Sequence, residues 1–343
     1  MANVSVIGAG SWGTALAKVL DTNGHRVTIW SALQDEIEML KRHREHTLKL
    51  PGVKLSQRIS FTADLQEAMD GRDLLVLAVP SVYTRNTARS MSEFAVTGQK
   101  IVNVAKGIEE GTLKTLVEII EEEIPGADVA VLSGPSHAEE VGRGLPTTCV
   151  AGAHTRSTAE YIQNLFMNEV FRVYTSPDML GIELGGSLKN VIALAAGMAD
   201  GLGYGDNTKA ALITRGITEI GRLALAMGAK YETLSGLTGI GDLIVTCASV
   251  HSRNRRAGML IGQGKTMEEA MDEVKMVVEG VYSTKAAVGL AKQYQIPMPI
   301  IEQVNQVLFF EKPVKEAVQE LMLRDRKTEH EELLWEGEGR DDG

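Results

Sequence analysis

Residues 3–20 read NVSVIGAGSWGTALAKVL, and the fold follows from how this stretch is parsed. A short apolar run, 4–7, leads into three glycines, Gly8, Gly10 and Gly13. An apolar pattern of helical spacing then occupies 14–20. Three glycines in a G-x-G-x-x-G arrangement are weak evidence alone, because glycine is common and turns need it. Between a strand and a helix each has a task. Gly8 permits the tight turn, Gly10 lets the backbone approach a pyrophosphate, and Gly13 lets helix and strand pack closely. The helix N-terminus adds N–H groups and the positive end of its dipole. The stretch predicts a dinucleotide site, and nicotinamide is favoured over flavin because nothing downstream resembles an isoalloxazine site. A second strand at 27–30 ends in Ser31-Ala32-Leu33-Gln34, where an acid would grip the ribose 2′-OH of NAD. Neither acid nor arginine stands at that tip, and Asp35 comes slightly late. The reading is therefore NAD or NADP, leaning to NADP.

Working outward, near-continuous apolar runs recur at 74–79, 101–105 and 129–132, with helical segments between them, including 112–123. Runs of this kind suit strands buried on both faces of a parallel sheet. The repeated βα units predict an α/β fold with a doubly wound Rossmann sheet. Stretches 147–151 and 171–174 are candidates to extend it. Beyond residue 177 the period changes to that of helices, over 181–199, 208–227, 266–278, 284–294 and 300–307. Thr266 and Glu269 fit a capping box, and Pro297 and Pro299 separate the last two segments. The expected organisation is a dinucleotide-binding domain at 1–180, an all-helical domain at 181–325 and a charged, glycine-rich, frayed tail at 326–343.

The 343 residues suit two domains, and a net charge of −10 makes nucleic acid a poor partner. Two cysteines, Cys149 and Cys247, supply neither a disulfide framework nor metal-ligand spacing, so no metal is expected and both read as small buried residues. No signal peptide and no apolar run of membrane length is evident, which predicts no membrane partner and a cytoplasmic location.

Five motifs carry chemistry. In ELGGSLKN (183–190), Lys189 has Gly185, Gly186, Ile192 and Ala193 as helical neighbours, so it either snorkels outward or is held as an ammonium in a cramped place. Lys106 of AKG lies at the carboxyl end of a strand, the edge that faces a ligand crevice, although a lysine can also simply snorkel there. SGPSHAEE (133–140) follows another strand; its Gly-Pro turn can present backbone N–H groups, and His137 is a capping residue or an acid. In GIGDLIVTC (239–247), Asp242 is an N-cap or a buried carboxylate paired to a lysine. HSRNRR (251–256) has three arginines in four residues, a solvated patch or a phosphate site, which arginine binds bidentately.

Taken together and in this order, these motifs resemble the NAD(P)-dependent glycerol-3-phosphate dehydrogenase family in its bacterial biosynthetic form. The resemblance runs from the glycine loop to about residue 323 and includes DGLGYGDNTKAALITRG (200–216) and VVEG (277–280). It implies reversible reduction of dihydroxyacetone phosphate to sn-glycerol 3-phosphate, feeding glycerophospholipid synthesis. It implies that Lys189 is the catalytic proton donor and acceptor. Lys106, Gly134, Ser136, Asp242, Ser252, Arg253 and Asn254 would bind substrate beside it. Gly8, Gly10, Ser11, Trp12, Gly13, Lys106, Ala138, Arg253, Val277 and Glu279 would bind the cofactor. Gly185 and Gly186 would leave room for substrate. A basic residue or histidine often follows the second strand in this family, where this chain has Ala32. Helical domains of such dehydrogenases often pair, so a homodimer is expected. Two other readings stay open: a hydroxy-acid or pantoate-type dehydrogenase, and a cofactor-sensing regulator without catalysis.

Overall fold

The computed structural model describes residues 1–326 and 328–329. The frayed tail expected at 326–343 therefore falls almost wholly outside the described residues.

Eight strands form one sheet: β1 (Asn3–Ile7), β2 (Arg26–Trp30), β3 (Ser60–Thr62), β4 (Leu74–Leu77), β5 (Lys100–Asn103), β6 (Asp128–Ser133), β7 (Thr147–Ala153) and β8 (Phe171–Ser176). Their order is β3-β2-β1-β4-β5-β6-β7-β8. Every neighbour pair is parallel except β6 with β7. That reversal is not what a purely parallel sheet predicts. The segment joining β6 to β7 holds only a five-residue helix, and this helix packs beside the helix after β1 instead of crossing the sheet. β3 was not expected either: three residues are too few to show a period.

The sheet's helices are α1 (Ser11–Thr22), α2 (Gln34–His43), α3 (Leu65–Met69), α4 (Thr84–Ser92), α5 (Leu116–Glu123), α6 (Ala138–Gly142) and α7 (Arg156–Phe166). The helix expected over 112–123 starts later, at Leu116. Thr115 caps it, with Glu118 bonding back to the Thr115 N–H.

From α8 (Met179–Gly201) onward the described chain is helical: α9 (Asp206–Ala226), α10 (Tyr231–Leu234), α11 (Asp242–Ala248), α12 (Arg253–Gly262), α13 (Met267–Val274), α14 (Glu279–Tyr294), α15 (Pro299–Phe309) and α16 (Val314–Met322). The expected 266–278 helix stops at Val274 because Lys275 turns left-handed at φ 56°. α14 begins five residues before the expected 284, at Glu279. The Thr266–Glu269 capping box is present.

α8 is the axle. Twenty of its 23 residues are buried, among them Lys189, and it packs against α9, α11, α12, α14 and the strands β6 and β7. It has the length and apolarity of a membrane span, at mean hydropathy 1.3, yet 89% of that window is buried inside the protein. A helix that is apolar all round belongs in a core. Polar Glu183, Ser187, Lys189 and Asn190 interrupt it, which is why no continuous apolar run shows in the sequence. Two acids serve the scaffold here. Glu183 accepts from the Val117 N–H at the start of α5, and Glu219 of α9 accepts from the N–H groups of Ile300 and Ile301 at the start of α15.

Candidate active site

Gly8 sits at φ +120°, and a Cβ there would lie 2.8 Å from the Ala78 carbonyl carbon. A Cβ on Gly13 would come within 2.1 Å of the Gly8 carbonyl oxygen. Gly10, which N-caps α1, has nothing within 4 Å of the place a Cβ would fill. Two glycines thus clamp the turn while the third leaves an open cradle over the α1 N-terminus, which fits a pyrophosphate. Beside it Ser11 is buried and Trp12 packs on the sheet core. Gly13→Ala is expected to destabilise the fold by about 1–3 kcal/mol through overpacking and to abolish NAD(P)H binding. A thermal melt with a cofactor fluorescence titration checks it, and wild-type affinity in this variant would contradict the assignment.

The chemistry lies at the carboxyl ends of β5 and β6, facing α8. Asn103 closes β5 by accepting from the Ala105 N–H and donating to its carbonyl, which fixes the turn that presents Lys106. Lys106 Nζ donates to the Gly134 carbonyl at 3.0 Å and to Asp242 Oδ2 at 2.6 Å. Gly134 needs its φ of +152°, since a Cβ would meet the Thr148 carbonyl oxygen at 2.9 Å. Ser136 Oγ donates to the same Gly134 carbonyl at 3.0 Å. From α8, Lys189 Nζ donates to Asp242 Oδ1 at 2.6 Å and to Thr246 Oγ1 at 2.5 Å. One aspartate therefore bridges two lysines, and it does so from the first turn of α11, just after a π-helical turn at Leu237–Gly241. The buried-ammonium reading of Lys189 holds: it is 5% exposed.

Gly185 and Gly186 do not leave open room. A Cβ on Gly185 would lie 2.5 Å from the Thr238 carbonyl oxygen, and one on Gly186 would lie 3.1 Å from Ser133 Oγ. Their smallness lets the π-helical turn and the end of β6 close on α8, which brings Asp242 to Lys189.

Burial pushes Lys189 down to about 8; Lys106 adds to that effect and Asp242 opposes it. Burial alone would raise Asp242, but Lys106 and Lys189 outweigh it and hold the carboxyl below its usual range. His137, the N-cap of α6, is pushed down to about 4 by burial and then by the two lysines, so it is uncharged near neutral pH and cannot act as a cationic acid.

The basic cluster does not act as a unit. Ser252 Oγ caps α12 by accepting from the Arg255 N–H. Asn254 donates to Asn190 Oδ1 at 2.9 Å and accepts from the Gly280 N–H at 2.8 Å, so its amide ties three helices together. Arg255 is paired with Asp200 at 2.7 Å, and Arg256 lies 4.0 Å from Glu273. Among the described residues Arg253 has no ion pair; its Nη1 donates only to the Val277 carbonyl, at 3.3 Å. At the crevice mouth Glu279 accepts from the Ser81 N–H at 3.0 Å and from the Ser81 hydroxyl, joining the end of β4 to the start of α14. Ala138 is buried at the first position of α6.

Sequence reasoning passed over Thr246 and Ser81. Thr246 was findable, because it lies one helical turn from Asp242 on the same face. Ser81 had no local signal; only the tertiary approach of Glu279, 198 residues away, singles it out.

A Rossmann-type sheet with its glycine loop, facing a helical bundle that supplies a buried lysine–aspartate pair, defines a nicotinamide-dinucleotide-dependent oxidoreductase. The family description "NAD-dependent glycerol-3-phosphate dehydrogenase" matches its amino-terminal part over residues 3–159 and its carboxy-terminal part over residues 178–319. The chain belongs to that family. It is 71% identical to the NAD(P)+ glycerol-3-phosphate dehydrogenase of Agathobacter rectalis, over 98% of this chain and 100% of the relative. It is 51% identical to that of Bacillus subtilis, over 97% and 98%. The crystal structure of the glycerol-3-phosphate dehydrogenase of Coxiella burnetii superposes with a TM-score of 0.91 at 37% identity, covering 94% of this chain and 99% of that one. A ketopantoate reductase from Ralstonia eutropha, at 15% identity and TM-score 0.61, shares the fold alone.

Proposed function

We propose that this chain reduces dihydroxyacetone phosphate to sn-glycerol 3-phosphate with NADH or NADPH, reversibly, and that the product supplies glycerophospholipid synthesis in the cytoplasm. The observation that carries this reading is the buried Asp242 carboxylate bonded to both Lys106 and Lys189, together with Arg253, which has no ion pair among the described residues. Residues through about 180 form the cofactor unit and 181–325 the substrate unit, with pairing through the latter; light scattering at working concentration decides the pairing. Gly8, Gly10 and Gly13 cradle the pyrophosphate, and Ser11, Trp12, Lys106, Ala138, Arg253, Val277 and Glu279 also reach the cofactor. The bound cofactor supplies the hydride for the carbonyl carbon. Lys106 and the Gly134–Ser136 turn orient the carbonyl. Lys189 donates its proton to the carbonyl oxygen, and Thr246 and Asp242 hold its ammonium in place. Arg253 takes the phosphate, joined by the Ser252 hydroxyl proton and the first N–H groups of α12. Asn254 thus contributes its backbone N–H, because its side chain is already engaged.

Reduction needs charged Lys189 and oxidation needs it neutral. With Lys189 at about 8, kcat/KM for reduction is expected to fall as pH rises through that value, and kcat/KM for oxidation to rise across the same window. Rate profiles in both directions check this; flat profiles between about pH 7 and 9 would remove Lys189 as the proton carrier. The reaction itself is tested by following NADPH and then NADH absorbance with dihydroxyacetone phosphate, using unphosphorylated dihydroxyacetone as control. Loss confined to the phosphorylated ketone supports both chemistry and phosphate site. No loss with either cofactor overturns the reading.

A further inference from the structure

The stretch 200–216 has no part in the mechanism above, yet its first residue meets the basic cluster. Asp200 stands in the last turn of α8, where a carboxylate opposes the helix dipole. Arg255 stands in the first turn of α12, where a cation opposes the dipole as well, and that turn holds no acid. The two misplaced charges satisfy each other: Arg255 Nε donates to Asp200 Oδ2 at 2.7 Å. Lys209 of α9 takes the other oxygen, Asp200 Oδ1, at 3.0 Å. All three side chains are mostly buried. With Arg255 engaged here and Arg256 beside Glu273, Arg253 is left to face the crevice without a counterion among the described residues.

α12 lies on α8 backbone to backbone. A Cβ on Gly197 would come within 2.1 Å of the Arg255 carbonyl oxygen, and one on Gly258 within 2.1 Å of the Leu194 carbonyl oxygen. Such a contact sets the spacing of the two helices but offers no side-chain knob to fix how one is turned against the other. Two polar pegs do that: Asn254 bonds to Asn190, and Arg255 bonds to Asp200. Neighbouring residues on a helix point about 100° apart, so the first peg acts as a pivot and the second stops rotation about it. We propose that Asp200 is a positioning residue for the substrate phosphate: by holding Arg255 it fixes the rotation of α12 and so aims Arg253 and the first N–H groups of that helix. Lys209 neutralises the remaining oxygen and makes no hydrogen bond to α12 among the described residues. This rests on the dihydroxyacetone phosphate reading above and adds to it a residue that touches no substrate.

The test separates phosphate binding from turnover. In Asp200→Asn, KM for dihydroxyacetone phosphate should rise about tenfold or more, because a small misplacement of a binding group is costly. The inhibition constant of inorganic phosphate should rise by the same factor, since the weakened contact is to the phosphate. By contrast kcat should stay within about threefold, NAD(P)H affinity should hold, and the inflection of reductive kcat/KM should not move. Arg255→Met should reproduce this pattern, and the double variant should be no worse than either single one, because both remove the same contact. Lys209→Met should leave KM within about twofold. If Asp200→Asn does not fold, Arg255→Lys carries the test; it keeps the charge, loses the Nε donor and should raise KM severalfold. Wild-type KM and wild-type phosphate inhibition in these variants, with or without a lower melting temperature, would mean that Asp200 serves the fold alone and would overturn the proposal. Additive effects in the double variant, or cofactor affinity lost together with phosphate affinity, would overturn it as well. No reduction of dihydroxyacetone phosphate by the wild-type protein would sink the reading beneath it; wild-type reduction with phosphate binding unmoved in the variants sinks this inference alone.

Discussion

Lys189→Ala is expected to lower turnover by about 100- to 10,000-fold while NAD(P)H still binds with wild-type affinity. The loss should be this large because no neighbour can stand in. Lys106 is held by the Gly134 carbonyl and by Asp242, and His137 carries no charge near neutral pH. Lys189 touches no residue of the glycine loop, so cofactor affinity is the internal control. Lys189→Met, which fills most of the same volume, should behave alike and rules out a cavity as the cause. Near-normal turnover in either variant would mean that the ammonium is a scaffold group and the proton comes from elsewhere.

Asp242→Asn should damage both stability and chemistry. The carboxylate is 1% exposed and is the shared counterion of two ammonium groups. Breaking a buried ion pair by removing one partner costs about 3–5 kcal/mol, because a charge is left uncompensated in a low-dielectric place. The isosteric amide keeps one acceptor oxygen and no charge. Lys189 should then release its proton well below the wild-type value of about 8, because burial and Lys106 would act on it unopposed. The expected result is a lowered melting temperature, with the inflection of reductive kcat/KM moved to acid pH. An unchanged melt together with an unmoved inflection would show that the aspartate only orients Lys189.

How much of this could be read in advance depends on how local each cause is. The strands β1, β2, β4, β5 and β6 are built on near-continuous apolar runs, and their doubly buried setting writes itself into the residues. Lys189 was conspicuous because its helical neighbours are small or apolar. The reversal of β7 was not legible, because strand direction depends on where α6 docks. The engagement of Asn254 by Asn190 and Gly280 was equally hidden, as its partners lie 64 and 26 residues away.

The two bonds to Asp242 differ in what they connect. Lys189 and Asp242 both stand on helices of the bundle, whereas Lys106 hangs from the sheet and reaches across to the same carboxylate. Prising the sheet from the bundle would therefore leave the first bond intact and stretch the second, while letting water in. Each change makes Lys189 hold its proton more firmly: a neighbouring cation recedes and the burial cost relaxes. Shutting the crevice reverses both. Proton affinity at Lys189 would thus be coupled to how tightly sheet and bundle are held together at Asp242.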